Sequence, residues 1–371
     1  MRKIFIVTER RADYSRFQPI LKLIQDDPDL DYDLVVTGLH LKKDNGYTIN
    51  EILDDGFKIF SKFDMFKEDE DSGGAMVRAY AEAVKMLSIE LEKSNPDLIL
   101  SGFDIAANAA VTLAGAHMNI PVAHIQGGEV TGTIDESIRH AMSKFAHYHL
   151  AANDDACLRL IKMGEVPDHV FNVGCPSIDA ILKVSNNPKV ITKYNLEKPY
   201  FILIQHPVTS EIKKSSNQIK VTLEAIKLSG INVLIILPNN DAGYSSIVEE
   251  IKTSNVKCVE TLSIDDYVNL LRHSNGLIGN SSSGIHEAAT FNVPVINIGS
   301  RQQGRLRPKN VIDVNHDSVE IIEAIDKCNK IIDEKLIFDN PYGDGNSSTK
   351  IVNLLKKLKI NEKIVQKRIT Y

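Results

Sequence analysis

Four carboxylates, Asp104, Glu129, Asp135 and Glu136, fall on loops that follow two short apolar runs, Leu98–Ser101 and Pro121–Gln126. Clustered carboxylates suit proton transfer, because each raises its neighbour's pKa and lets one group hold the proton that another lacks. Glu136 also closes Thr133-Ile134-Asp135-Glu136, the spacing of a capping box at a helix start. Spacing alone does not choose between a cap and an acid–base group. In the amphipathic stretch behind it, Ile134, Ile138, Ala141 and Phe145 share a stripe expected to be buried, and Glu136, His140, Lys144 and His147 lie on the other side.

A second set of residues suits an anion. The run Gly276–Asn280 leads into Ser281-Ser282-Ser283-Gly284-Ile285-His286-Glu287. Three hydroxyls and the free amides of a first helical turn would converge there, a phosphate site with the helix dipole behind it; plain N-capping needs only one of the serines. Glu287, one turn in, would accept from a ribose diol or simply favour the helix start. After the next run come Arg301 and Arg305, whose guanidinium groups fit a diphosphate in bidentate fashion or remain solvated on a loop. Two further loops follow apolar runs: Gln205–Ser210, with His206 before a proline, and Leu237–Gly243, with Asn239. His206 is a candidate acid or leaving-group partner, although a lone histidine is more often structural. The loop Thr8–Ser15, with Arg11 and Ser15, has no Gly-x-Gly-x-x-Gly, which argues against a nicotinamide dinucleotide site of the usual kind.

These loops need elements to carry them. Apolar runs at 3–8, 32–36, 98–101, 121–126, 148–152 and 170–173 alternate with amphipathic segments. A second series follows at 200–205, 231–237, 256–260, 276–280, 294–299 and 310–314. Runs apolar on both faces and separated by helical patterns indicate parallel sheets covered by helices. Two series in 371 residues indicate an α/β protein with two doubly wound, Rossmann-like domains. The expected division is 1–178, carrying the carboxylates, 179–350, carrying the anion site, and a tail at 351–371; the break falls near Gly174–Pro199. The tail reads as a basic helix with Ile351, Leu354, Leu355 and Leu358 on one stripe. It either packs back across the cleft or shows a charged face to water, and most of its lysines are expected to be solvated.

A net charge of −6 argues against a general nucleic-acid binder, so an anionic ligand must be held by a few placed groups. Cys157, Cys175, Cys258 and Cys328 form no Cys-x-x-Cys pair and no ligand spacing; reduced, buried thiols and no metal site are expected. No apolar run approaches membrane-spanning length, and the chain opens on a strand in place of a signal peptide. A cytoplasmic location follows.

The ordered blocks Arg11-Ala12-Asp13-Tyr14-Ser15, Thr37-Gly38-Leu39-His40-Leu41, His124-x-x-Gly127-Gly128-Glu129, Ile134–His140, Gln205–Thr209, Pro238-Asn239-x-Asp241-Ala242-Gly243, Gly279–Gly284 and Arg301-Gln302-x-Gly304-Arg305 cover nearly the whole chain. In them the sequence resembles the hydrolysing UDP-N-acetylglucosamine 2-epimerases of sialic-acid and legionaminic-acid pathways. The resemblance implies a glycosyltransferase-B-like fold with the site between two domains, a homodimer or homotetramer, and no cofactor. It implies that Arg11, Ser15, His206, Asn239, Ser282, Ser283, Glu287 and Arg301 contact the nucleotide, and that Asp104, Glu129, Asp135 and Glu136 lie at the sugar. The implied reaction removes the C2 proton as the nucleotide leaves C1, then returns a proton to the opposite face and adds water at C1. Non-hydrolysing relatives return the nucleotide instead, and glycosyltransferases or sugar-nucleotide sensors of the same architecture would share the nucleotide grip. Three positions depart from the family pattern: Glu9 stands for a glycine, Ile105 for an arginine after the aspartate, and Gln126 for a glutamate. The proton-transfer roles therefore shift to Glu129, Asp104 and Glu136, and the sugar is N-acetylglucosamine or N,N'-diacetylbacillosamine, activated by UDP or GDP.

Overall fold

The computed structural model describes residues 1–43, 46–68 and 71–371. Seven strands form the first sheet: β1 (Arg2–Thr8), β2 (Leu30–Val36), β3 (Ile59–Lys62), β4 (Leu98–Gly102), β5 (Val122–Ile125), β6 (Tyr148–Ala151) and β7 (Val170–Asn172). Six form the second: β8 (Tyr200–Ile204), β9 (Asn232–Ile236), β10 (Cys258–Val259), β11 (Gly276–Gly279), β12 (Val295–Ile298) and β13 (Val311–Val314). The order is β3-β2-β1-β4-β5-β6-β7 in one and β10-β9-β8-β11-β12-β13 in the other, and neighbours run parallel throughout. These are two Rossmann-like α/β domains with a glycosyltransferase-B-like architecture. β1, β4, β5, β8 and β11 are buried along their lengths or nearly so, as parallel strands covered on both faces require.

Every expected strand is present, and one was missed. β3 alternates half-buried with exposed residues over four positions of an edge strand, too short and too polar a run to read as a strand.

In each sheet the strand order reverses at one place, between β1 and β4 and between β8 and β11. A crevice opens beyond the carboxyl ends at such a switch point. The loops that leave those four strands carry Glu9–Asp13, Asp104, His206 and Ser281–Ser283, so topology alone brings the chemistry of both domains to facing edges. One glycine makes the approach of the two domains possible: a Cβ at Gly132 would collide with the carbonyl of Ser300 in the opposite domain. Gly132 N donates to Arg301 O at 3.0 Å there. Gly279, at φ +121°, makes a close approach possible within the second sheet, where a Cβ would collide with the carbonyl of Ile204.

The chain's last long helix, Ser347–Lys357, follows the second sheet in sequence but packs on the first domain. Ile351, Val352, Leu355 and Leu358 join the core that holds Ile4, Phe17, Ile20 and Leu21. Most lysines of the tail are exposed, as expected, and two of them make ion pairs. Lys356 lies 2.8 Å from Asp27 and 3.1 Å from Asp29. Lys367 reaches the buried Glu165 at 2.5 Å and donates to Ser143 O and Ala146 O at 2.7 Å each. Among the described residues no helix is long and apolar enough to cross a membrane.

Candidate active site

The helix Arg11–Gln25 begins where β1 ends, and Asp13 closes its start by accepting from the amides of Glu9 and Arg10 at 2.9 Å each. Glu9 accepts from Ala107 N at 2.9 Å, at the start of the helix Ala106–His117, and pairs with Arg10. The glutamate at a position expected to be glycine therefore caps a helix and anchors a guanidinium that faces Asp241 of the second domain at 3.7 Å.

The carboxylates sit among cations that their spacing did not reveal. Arg139, in the helix Ile134–Phe145, is almost wholly buried; it pairs with Asp104 and donates to Glu129 O at 2.9 Å. Glu129 Oε1 accepts from Gln126 at 3.1 Å. Its Oε2 meets His286 Nε2 at 3.1 Å and Arg305 at 3.2 Å, both from the second domain. The expectation that the cluster's members raise one another's pKa is corrected accordingly. Burial would raise Asp104, but Arg139, Arg305 and Arg16 outweigh it and hold the carboxyl below its ordinary range. Burial would raise Glu129 too, yet His286, Arg305 and Arg139 hold it well below the carboxylate range. Burial keeps the His286 imidazole below its ordinary value, and its Nε2 also lies 2.8 Å from Arg305 Nη1, which can only donate, so the neutral ring accepts from Arg305 and Arg305 is the charged partner of Glu129 Oε2. Asp135 is raised, by burial and then by the charge of Asp104, with Arg301 opposing. Asp104 and Glu129 are thus shifted down and Asp135 up at one cleft.

Glu136 lies elsewhere. Its Oε2 accepts from Thr131 N at 2.7 Å and its Oε1 is 3.8 Å from His140. It shapes the loop before the helix, while Thr133 caps Asp135 N at 3.3 Å; the reciprocal capping box is not formed. The stripe expected to be buried is not buried either. Ile134 is 54% and Phe145 40% exposed, whereas Arg139, Met142 and Ser143 face inward. The helix is rotated because Arg139 is drawn to Asp104 and Ser143 to His124, 3.1 Å from its ring.

On the second domain, Ser281 is the N-cap of a short helix, accepting from Ser283 N at 3.3 Å. Ser283 donates to Glu287 at 2.6 Å and contacts the Tyr267 hydroxyl, so Ser283 and Glu287 are engaged with each other. Ser282 faces the cleft with Arg301. His206 is buried; its Nδ1 accepts from Asn239 N at 3.2 Å, which puts the ring proton on Nε2. Burial, with Arg301 and Arg10 nearby, drives its pKa well below the ordinary value. It is a neutral hydrogen-bond donor, not a cationic acid. Arg11 spends its guanidinium on Glu51, Thr261 (2.7 Å) and Leu262 O, tying the domains together, and Ser15 donates to Ala12 O at 3.1 Å. Cys175 is buried, its thiol pushed up to about 11 by burial, while Cys157 and Cys258 are only half-buried.

Two connected cavities result. A polar inner cleft of about 50 Å³ is lined by Asp104, Gln126, Glu129, Asp135, His286 and Arg305 among others. An outer cavity of about 580 Å³ shares Asp104, Asp135, Ser282 and Arg301, adds Asn239 and Arg10, and runs onto an apolar wall of Met76, Tyr80, Ile105, Ile134, Ile138 and Phe145. Buried polar atoms without a partner among the described residues gather at the inner cleft: Gln126 Oε1, Gln302 Oε1, His286 Nδ1, Arg301 Nε and Arg305 Nε. Each such atom costs roughly 1–3 kcal/mol while unpaired, and their concentration marks a place built for a polar ligand. Arg16, Arg139, His286 and Gln302 were not singled out from sequence; all four line the inner cleft, Arg139, His286 and Gln302 are buried there, and His286 meets Glu129 of the other domain. Among the described residues no group of three or more His, Cys, Asp and Glu side chains is placed to hold a metal ion.

Residues 22–356 match the family model described as UDP-N-acetylglucosamine 2-epimerase. A UDP-N,N'-diacetylbacillosamine 2-epimerase (hydrolyzing) of Legionella pneumophila is 34% identical, with 100% of each chain covered. A UDP-N-acetylglucosamine 2-epimerase of Neisseria meningitidis is 34% identical over 94% of this chain and 93% of its own. A solved structure of the UDP-GlcNAc 2-epimerase from Neisseria meningitidis bound to UDP-GlcNAc superposes with a TM-score of 0.80 at 21% identity, covering 96% of this chain and 100% of that one.

Proposed function

The chain belongs to the UDP-N-acetylglucosamine 2-epimerase family, and we propose that it is a hydrolysing 2-epimerase that converts a UDP-activated 2-acetamido sugar to the free 2-epimer and UDP. The division of labour follows the two sheets. Residues 179–350 grip the nucleotide and residues 1–178 hold the sugar, with the tail from 351 packed against the latter.

The observation that carries the reading is the split in ionisation among carboxyls at one cleft: Asp104 and Glu129 held charged, Asp135 raised. An ionised carboxylate, Glu129 with Asp104 beside it, removes the proton on C2. The C1–O bond to the diphosphate breaks, and the electron pair leaves with UDP. Arg301, Ser282 and the Nε2–H of His206 stabilise the charge that grows there. Asp135 returns a proton to C2 of the glycal-like intermediate from the opposite face, and water adds at C1. Asn239 assists the nucleotide grip. The fit of Ser283 and Glu287 to the same grip is indirect, through the hydrogen bond that orders them.

The apolar wall of the outer cavity favours a second reading of the sugar. Ile105, Ile134, Ile138 and Phe145 suit a methyl and an acetamido group better than hydroxyls. That supports the 4-acetamido-6-deoxy substrate, N,N'-diacetylbacillosamine carried by UDP or GDP, beside UDP-N-acetylglucosamine. A cytoplasmic homodimer or homotetramer serving a sialic-acid-type pathway belongs to the same reading, which requires no cofactor.

The test is Glu129→Gln, which keeps the shape and removes the charge. Turnover should fall by at least about 10³ while UDP binding, read by calorimetry, stays within about threefold. Near-normal turnover would remove Glu129 from the mechanism.

A further inference from the structure

We infer that Lys367, near the end of the chain, is a positioning residue for the site: its ammonium holds the carboxyl end of the helix Ile134–Phe145 and thereby sets the place of Asp135 in that helix's first turn. The inference rests on the reading of Asp135 as the group that returns the proton to C2. The same helix carries Arg139, the partner of Asp104, in its middle. Apolar burial does not fix its rotation, because Ile134 and Phe145 stay exposed and Ile138 lies on the cavity wall. Polar contacts must hold it instead.

At its far end the helix leaves carbonyls that its own amides cannot serve. Ser143 O would accept from His147 N if the helix went on, but His147 N donates to Val122 O at 2.8 Å and joins the sheet. Lys367 Nζ fills the gap. It donates to Ser143 O and Ala146 O at 2.7 Å each and meets Glu165 Oε2 at 2.5 Å. An ammonium has three N–H donors, and each finds an acceptor here. The charge also faces the negative end of the helix dipole. The buried Glu165 accepts at Oε1 from Lys144 of the same helix at 2.8 Å, and its Oε2 lies 2.8 Å from His149 Nε2 on β6. One carboxylate thus joins the helix end, the neighbouring strand and the end of the chain.

The last residues are seated for this contact. Ile369 and Tyr371 lie over Gly164, and Thr370 N donates to Gly164 O at 3.3 Å. From Ser143 the grip passes inward: its hydroxyl donates to Arg139 O at 3.1 Å and stands 3.1 Å from the His124 ring.

The division of products reads the placement of Asp135 regardless of how much protein is folded. Once the C2 proton and UDP have gone, the intermediate is either reprotonated or lost as a free unsaturated sugar. Lys367→Met should raise the share of unsaturated sugar released with UDP by about tenfold, because a misplaced acid reacts far more slowly. UDP affinity by calorimetry should stay within about twofold, the nucleotide grip lying in the other domain. If Lys367→Met does not fold, Lys367→Gln, an uncharged and shorter donor, reads the same share. An unchanged share in the folded variant, whatever its stability or total rate, would reduce Lys367 to a stabilising contact and overturn the inference. Asp135→Asn is the control. It should itself release the unsaturated sugar, and its failure to do so would instead overturn the reading of Asp135 beneath the inference.

Discussion

Asp71 of the first domain closes the start of a helix in the second: its Oδ1 accepts from Gly243 N at 2.8 Å, and its Oδ2 from the Ser245 hydroxyl at 2.5 Å and the Ser245 amide at 3.2 Å. The helix is Tyr244–Thr253, and its N-terminal amides bind the carboxylate as they would any anion. The contact acts as a latch across the cleft and, with Arg11 on Leu262 and Gly132 on Arg301, favours the closed arrangement. Asp71→Ala should raise KM for the nucleotide sugar by about fivefold, with kcat changed by less. Steady-state kinetics decide, and an unchanged KM would mean that the latch does not bias closure.

Asp135 is expected to supply the proton that completes epimerisation. Asp135→Asn should lower formation of the 2-epimer by about 10²–10³ and let an unsaturated sugar accumulate with released UDP, visible as an olefinic proton signal. Because burial and the charge of Asp104 raise this carboxyl, kcat of the unmodified protein should fall as pH rises through its pKa, the acid form being the active one. Normal epimer yield from the Asn variant would assign the acid elsewhere.

Ser282 and Ser283 should separate in their effects on nucleotide binding. Ser282→Ala is expected to weaken UDP by about three- to tenfold, and Arg301→Gln by at least about tenfold. Ser283→Ala, whose hydroxyl is already bonded to Glu287, should stay within about threefold of the unmodified protein. The double serine variant should resemble Ser282→Ala alone. Calorimetry with UDP would expose a misplaced phosphate site by an unchanged affinity for Ser282→Ala.

Glu165 anchors the end of the chain. Burial would raise its carboxyl, but His149, Lys144 and Lys367 bring it down to about 2 from 4.5. A depressed folded-state pKa stabilises the fold above the unfolded value and loses that contribution as pH falls. The window here runs from about 4.5 down to about 2. Glu165→Gln should therefore cost on the order of 2–3 kcal/mol at neutral pH and flatten the acid limb of stability in that window. Denaturant melts at pH 7 and pH 3 measure both, and an unaltered pH dependence would show that Glu165 is not ion-paired in the fold.

Much of this architecture was legible in the residues, because buried parallel strands such as Tyr200–Ile204 announce themselves by being apolar at every position. β3, with its exposed Phe60 and Lys62, did not. Residues on strand-end loops were legible as a set, since topology places such loops at one edge. Their partners were not. Nothing in the spacing shows Arg139 turning inward while Ile134 and Phe145 turn out, because a buried ion pair with Asp104 overrides the apolar stripe. The ionisation of Glu129 was unreadable for the same reason: the groups that set it, His286 and Arg305, come from the other domain. Conversely, Arg11 looked like a nucleotide ligand from its block of sequence and is committed to Glu51 and Leu262.

The most direct test is a proton NMR time course in heavy water with UDP-N-acetylglucosamine, its 4-acetamido-4,6-dideoxy analogue and the GDP forms supplied separately. Hydrolysing epimerisation predicts a free 2-epimer carrying deuterium at C2, formed in step with released nucleotide, and faster for the sugar whose substituents suit the Ile105–Phe145 wall. Saturable nucleotide binding with no consumption of any of them, release of a sugar that keeps its C2 proton, or an epimer still joined to the nucleotide would contradict it.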